Sequence, residues 1–204
     1  MGVCMEKSTK DKILDVALDL FSQKGYKGAS IRMISSKVGI RESAIYNHFK
    51  NKEDILNTIV ATLSSSSLDL LMSNKPIEEL AKKGKSFLRE FAASFKLLSY
   101  DDKSEKFFRF MMIELMQNVK MREIFLNDFH KAHLKVLSQA FFVMMQEGMV
   151  ASSDPMLMAR EFLSPLFFYR MQATLLRIDG QNSKQIATLF EKHIDFFWEM
   201  VSLA

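Results

Sequence analysis

The sequence predicts an all-α protein with a compact basic front and a large apolar remainder. Three observations carry that expectation. Only 3 prolines and 7 glycines punctuate 204 residues, too little turn chemistry for a chain built of strands. Apolar residues recur at helical spacing along the whole length. The composition also changes near residue 60, beyond which lie 16 of the 18 phenylalanines and 12 of the 15 methionines. With 48% hydrophobic and 25% charged residues, there is apolar surface enough to fill a substantial core. About nine helices are expected, in an N-terminal domain over residues 8–52 and a C-terminal domain over 53–204.

In the front, Ile13, Leu14, Ala17, Leu18 and Phe21 mark one helix, with Ser8 or Thr9 as its cap and Gly25 as its end. Ser30 opens a second helix of barely two turns that places Ile31, Ile34 and Val38 on one face and closes at Gly39. After Gly39-Ile40 comes a third, about Arg41–Phe49, with Ile45 and Phe49 at i,i+4. Asn51 caps a fourth, with Glu53 and Asp54 in its first turn, where the positive end of the helix dipole favours acids. Its apolar face is Ile55, Leu56, Ile59, Val60 and Leu63. The run Ser64–Ser67 then reads either as a weakened, bent stretch or as an ordinary solvated one. Five more helices follow, near Pro76–Leu98, Lys103–Gln117, Met121–Glu147, Pro155–Ile178 and Ser183–Ser202.

Three short helices, the second and third joined by a tight Gly39-Ile40 turn, form a helix-turn-helix pattern. Ile34, Val38, Ile45 and Phe49 would pack the second across the third. The opposite face, with Arg41, Glu42, Ser43, Ala44, Tyr46 and Asn47, would then be free to enter a major groove about 12 Å wide. The front also carries the basic excess: residues 1–60 hold ten Lys/Arg against seven Asp/Glu, whereas the rest hold 18 against 17. The net charge of +4 is by itself only a weak pointer to a polyanion.

The residues Ala17-Leu18-Asp19-Leu20-Phe21-Ser22-Gln23-Lys24-Gly25-Tyr26, Ala29-Ser30-Ile31, Val38-Gly39-Ile40 and Ile45-Tyr46-Asn47-His48-Phe49-Lys50-Asn51-Lys52-Glu53-Asp54-Ile55-Leu56 resemble the tetracycline-repressor (TetR) type of bacterial transcriptional regulators. The resemblance covers about a quarter of the chain. It implies that Ser30 bonds a phosphate and that Arg32 bonds a phosphate or a base. Arg41, Glu42, Ser43, Ala44 and Asn47 would face bases, Tyr46 and His48 would hold the DNA backbone, and Lys52 would contact a phosphate beside helix N-terminal amides. Glu42 departs from a purely basic surface, so it would accept from a cytosine amine or order a neighbouring arginine. His48 also fits a capping or packing role, and Tyr46 a packing role against the fourth helix.

The later helices carry more aromatic and sulfur-bearing side chains than a tight core requires. The resemblance implies an apolar ligand cavity among them, for which Phe91, Phe95, Phe108, Met111, Met112, Leu115, Phe129, His133, Tyr169 and Gln172 are candidates; Glu114 is a further polar group there. The competing reading makes each of them simple core. Phe162 and Leu166 on one late helix, and Ile186, Phe190, His193 and Phe197 on the last, form broad stripes that suggest a two-fold four-helix interface between subunits.

The expectation is a dimeric DNA-binding regulator, a repressor, that reads a near-palindromic operator and responds to a small, largely apolar effector. A DNA-binding protein without effector, and a helical-bundle enzyme, are the alternatives. The enzyme reading lacks support: there is no Gly-rich phosphate loop, nucleophile elbow or paired-carboxylate motif. No metal and no cofactor are expected, since His130 and His133 stand at i,i+3 without an obvious third ligand. A single cysteine, Cys4, and the lack of an apolar leader or of 18 uninterrupted apolar residues point to a cytoplasmic protein away from the membrane.

Overall fold

The computed structural model describes residues 7–64, 75–98 and 101–203. Short connections join the helices of the described residues: α1 (Thr9–Gly28), α2 (Ile31–Val38), α3 (Glu42–Ile45), α4 (Lys52–Ser64), α5 (Ile77–Ala81), α6 (Lys85–Leu98), α7 (Asp102–Glu114), α8 (Val119–Glu123), a π-helical stretch (Ile124–His130), α9 (Lys131–Gln146), α10 (Pro155–Ile178) and α11 (Lys184–Val201). The nine expected helices become more pieces because two of them divide. Pro76–Leu98 breaks at Gly84, which lies tight against the Trp198 ring. Met121–Glu147 runs on but widens by a π-turn, where the Lys131 amide reaches back to the Leu126 carbonyl. The only extended pairing among the described residues is one isolated bridge, Val150 with Ser202. Cys4 and Ser65–Ser67 lie outside the described residues.

Local chemistry sets the helix ends. Ser8 Oγ accepts from the Asp11 amide at 3.1 Å, and Ser30 Oγ from that of Met33 at 3.2 Å. Asn51 Oδ1 accepts from the Asp54 amide at 2.9 Å while Asp54 Oδ2 takes the Lys50 amide, also at 2.9 Å. Asp154 caps α10 through the amides of Met156 and Leu157, with Pro155 in the first turn, where its missing N–H costs nothing. No described helix is long and apolar enough to cross a membrane.

The chain divides into two compact units. One holds α1–α4 together with α7 and residues 115–122; the other holds α5, α6, the π-stretch and α9–α11. The expected boundary at 52/53 therefore falls inside the first unit, because α4 and the distant α7 close its core. Phe21 of α1 packs on Phe110 of α7 at 5.5 Å between ring centres. Beside them, Lys103 and Lys106 of α7 pair with Asp15 and Asp19 of α1. Asp15 is also held by Lys7, and Asp19 by Lys37 of α2. Partial burial works to raise both carboxyls, but the lysine hydrogen bonds and charges outweigh it and keep them below the ordinary range.

The second unit is built around rings. Phe87, Phe91 and Phe95 of α6, Leu137 and Phe141 of α9, and Phe162 and Leu166 of α10 are wholly buried. Phe162 meets Phe91, Phe141 and Phe197 at 5.1–6.2 Å. This placement corrects the expected subunit interface. Phe162, Leu166, Phe190 and Phe197 are core residues of their own protomer. His193 stacks on Phe162 at 5.3 Å and its Nε2–H donates to the Phe162 carbonyl at 2.9 Å, while Ile186 packs against the same core. The stripes are broad because α10 and α11 bury one apolar face against their own unit and expose another: Leu157, Phe168 and Leu175 on α10, Phe196 and Met200 on α11.

His133 is buried in this core, its Nδ1–H donating to the Phe129 carbonyl at 2.6 Å. Burial, aided by the nearby Arg170 charge, pushes its pKa down to about 4. An unfolded histidine protonates near the ordinary 6.5 while the folded one stays neutral, so stability is fully present above that value and falls as pH drops toward 4. Between pH 6.5 and 5 the loss from this group is about 2 kcal/mol. Urea unfolding followed by Trp198 fluorescence checks this, and His133→Phe should flatten that stretch of the stability profile. By the same assay, Phe162→Ala should cost about 3–5 kcal/mol, as removal of a fully buried ring does.

Candidate nucleic-acid interface

Ile34, Ile45 and Phe49 are buried and bind α2 and α3 to the body of the first unit. Gly39 turns between them at φ 81°, a left-handed conformation that suits glycine. Its amide and that of Ile40 both return to the Ser35 carbonyl, so the turn is closed by its own backbone. Lys10 lies over the Phe49 ring, 5.6 Å from its centre.

With the apolar side so occupied, the opposite side stands in solvent. Arg41, Glu42, Ser43, Asn47 and His48 are exposed, Tyr46 is 54% exposed, and Ala44 is half-buried. Arg32 and Ser30 are exposed at the start of α2. The Ser30 oxygen is engaged as the α2 cap, which leaves its hydroxyl hydrogen able to donate outward. The α-helical part of the third element is shorter than expected, Glu42–Ile45. Tyr46–His48 continue as turn, with the His48 and Phe49 amides returning to the Ile45 carbonyl.

Lys52, expected as a phosphate contact, also has partners within the chain. Its Nζ donates to the carbonyls of Tyr26 and Ala29, each at 2.8 Å, and sits 4.1 Å from the centre of the Tyr26 ring. Burial lowers its pKa from the ordinary value, offset in part by the Glu114 carboxylate. With two backbone acceptors and one ring around it, the ammonium braces the corner between α1 and α2. Burial, with the charges of Glu53 and Glu114, raises the Tyr26 hydroxyl above its usual pKa.

The residues expected to line a ligand cavity separate between the two units. Phe108, Met111, Met112 and Leu115 belong with the first, and Phe91, Phe95, Phe129, His133, Tyr169 and Gln172 with the second. Within the second, Phe91, Phe95, Phe129 and His133 gather with ring centres 4.3–6.0 Å apart. Tyr169 meets Phe190 and His193. A half-open cleft of about 190 Å³ is lined by Phe125, Phe129, His130, Leu163, Ser164 and Phe167. Of these, Phe129 is the one that the sequence reading put forward for a ligand cavity; the π-turn that gathers Phe125, Phe129 and His130 leaves no signature in periodicity. Glu114, expected as a ligand-orienting group, is buried in the first unit on the Tyr26 amide.

Residues 13–59 match the family model described as bacterial regulatory proteins, tetR family. Over 65 residues the chain is 42% identical to the biofilm operon icaADBC HTH-type negative transcriptional regulator IcaR of Staphylococcus epidermidis, which is 32% of this chain and 35% of that protein. The match thus spans about a third of the length of such curated relatives. Among solved structures, a SmeT–triclosan complex superposes with a TM-score of 0.70 at 20% identity, covering 97% of this chain and 93% of that one. The regulator FadR from Bacillus subtilis in complex with stearoyl-CoA gives 0.62 at 19% identity, covering 92% and 96%. These two likenesses are likenesses of fold.

Lys52→Met keeps most of the stem and deletes the charge, leaving two carbonyls without their donor. It should destabilise the protein by about 1–3 kcal/mol in urea unfolding.

Proposed function

We propose, for a chain whose residues 13–59 match the family model of bacterial regulatory proteins of the tetR family, that it represses transcription by binding a near-palindromic operator as a dimer and responds to a small apolar effector. One observation carries the DNA-binding part: the α2–Gly39–α3 corner is pinned from behind by Ile34, Ile45 and Phe49, and presents Arg41, Glu42, Ser43, Tyr46, Asn47 and His48 to solvent. Arg41 suits bidentate contact with guanine, and Asn47 suits adenine. Ser30, Arg32, Tyr46 and His48 suit the phosphates that set register. The IcaR relative, a negative regulator of transcription, supports repression.

Dimerisation is supported by the outward apolar face of α10 and α11. Leu157, Phe168 and Leu175 recur at intervals of 11 and 7 residues, and Phe196 and Met200 at four, so each set falls on one side of its helix. A second copy of the chain is the occupant that a two-fold operator requires. An effector site is supported by the aromatic cleft around Phe125, Phe129 and His130. Its about 190 Å³ suits an aromatic ring or the end of an acyl chain. His130, whose pKa is lowered by burial and by Arg160, is the polar group that would orient such a compound. Triclosan on SmeT and stearoyl-CoA on FadR are ligands of those two proteins; they indicate which chemistries to screen by thermal shift.

A duplex selected by the wild-type protein from a random pool, titrated by fluorescence anisotropy, tests the central part. Affinity should fall steeply with salt as phosphate contacts release counterions, and a scrambled duplex should bind more weakly. Arg41→Ala should cost about 1–3 kcal/mol of operator affinity. Binding indifferent to both sequence and salt would refute the reading.

A further inference from the structure

We infer that Glu114, 55 residues beyond the end of the matched helix-turn-helix segment, is a positioning residue for DNA reading: its buried carboxylate holds the Gly25–Tyr26 corner from which α2 and α3 hang. The inference rests on the DNA-binding role proposed above for that corner.

Glu114 is 5% exposed. Its Oε1 accepts the Tyr26 amide at 2.8 Å, across 88 residues of sequence, and its Oε2 accepts from Asn118 Nδ2 at 3.2 Å. The corner is shaped to admit it. Gly25 departs from the helical path at φ 70°, ψ 173°, which turns the next amide away from the α1 ladder and toward α7. A Cβ at position 25 would stand 2.9 Å from Glu114 Oε1 and 3.3 Å from Ile113 Cγ2, so the carboxylate occupies the space that the missing side chain leaves.

The Tyr26 peptide is gripped at both ends. Its N–H goes to α7, while its C=O and that of Ala29 go to Lys52 at the start of α4. Its ring lies between the Lys52 ammonium and Phe21, and Phe21 in turn packs on Phe110 of α7. The Glu114 charge is felt by both Lys52 and the Tyr26 hydroxyl. Five residues after Tyr26, α2 begins. Any rotation of the Tyr26 peptide is therefore carried into the angle at which α2 and α3 are presented, and α7 is a structural member of the DNA-reading unit. The short helix α8 that follows α7 is fastened to α4 as well, for Lys120 pairs with Glu53 and bonds Asn57.

The test compares full-length Glu114→Ala, Glu114→Gln and Met121→Ala well below their melting temperatures. Glutamine keeps an acceptor for the Tyr26 amide. Met121→Ala, a cavity in the same unit at a wholly buried site, reports generic loss of packing. Two readouts are taken: anisotropy with the duplex selected by the wild type, and amide hydrogen exchange at Tyr26. Glu114→Ala should bind at least tenfold more weakly and exchange Tyr26 faster, whereas the other two should stay within about threefold of wild type and keep that amide protected. Binding by Glu114→Ala within twofold of wild type would overturn the inference, and so would an equal loss in Met121→Ala. If the wild type selects no duplex, the DNA-binding proposal fails on its own. The exchange arm then still decides, because unchanged Tyr26 protection in Glu114→Ala would remove the role assigned to the carboxylate.

Discussion

One short stretch of backbone, Gly25 to Ala29, carries the geometry of the first unit. Its carbonyls at Tyr26 and Ala29 are satisfied by a lysine ammonium from α4 and its Tyr26 amide by a carboxylate from α7. Half-buried backbone groups that leave a helix must find partners. Here the partners come from two other helices, so satisfying the corner also fixes where those helices lie. Charged groups make these bonds shorter and stronger than neutral ones would be. The Glu114 charge also offsets part of what burial costs the Lys52 ammonium.

That constraint explains why the proposed reading surface can be built from so little. α3 is one turn long and has no stability of its own. It is held because Ile45 and Phe49 are buried and because α2 is closed at both ends by Ser30 and Gly39. The exposed side, with Arg41, Glu42, Ser43 and Asn47, is thereby relieved of structural duty, as the proposed recognition requires. The lysine–aspartate pairs between α7 and α1 add to the same end. Each pair is partly exposed and individually weak, but Asp15 and Asp19 each serve two lysines, and Asp19 joins α1, α2 and α7.

The second unit is organised by a different force. Its rings, not its charges, define the packing: Phe162 alone touches rings from three other helices, the His193 ring among them. His133 survives in that environment by staying neutral and spending its Nδ1–H on a backbone carbonyl. Having filled their inner faces so completely, α10 and α11 still leave large apolar side chains on their outer faces, a surface of the kind that association covers.

What was legible in the sequence is what short-range chemistry decides. The all-helical class, the caps at Ser8, Ser30 and Asn51, the turn at Gly39, and the inward Ile34, Ile45 and Phe49 all follow from spacing and from the preferences of single residues, which do not depend on distant parts of the chain. Tertiary structure decided the rest. Phe162, Phe190 and Phe197 show helical periodicity whether they face their own core or a second subunit, so pattern alone could not choose between those partners. Lys52 and Glu114 read as a phosphate contact and a ligand-orienting group until folding brings Tyr26 to both. A charged side chain takes its role from the nearest unsatisfied partner, and for these two that partner lies 26 and 88 residues away, a distance that helical period and local propensity do not reach.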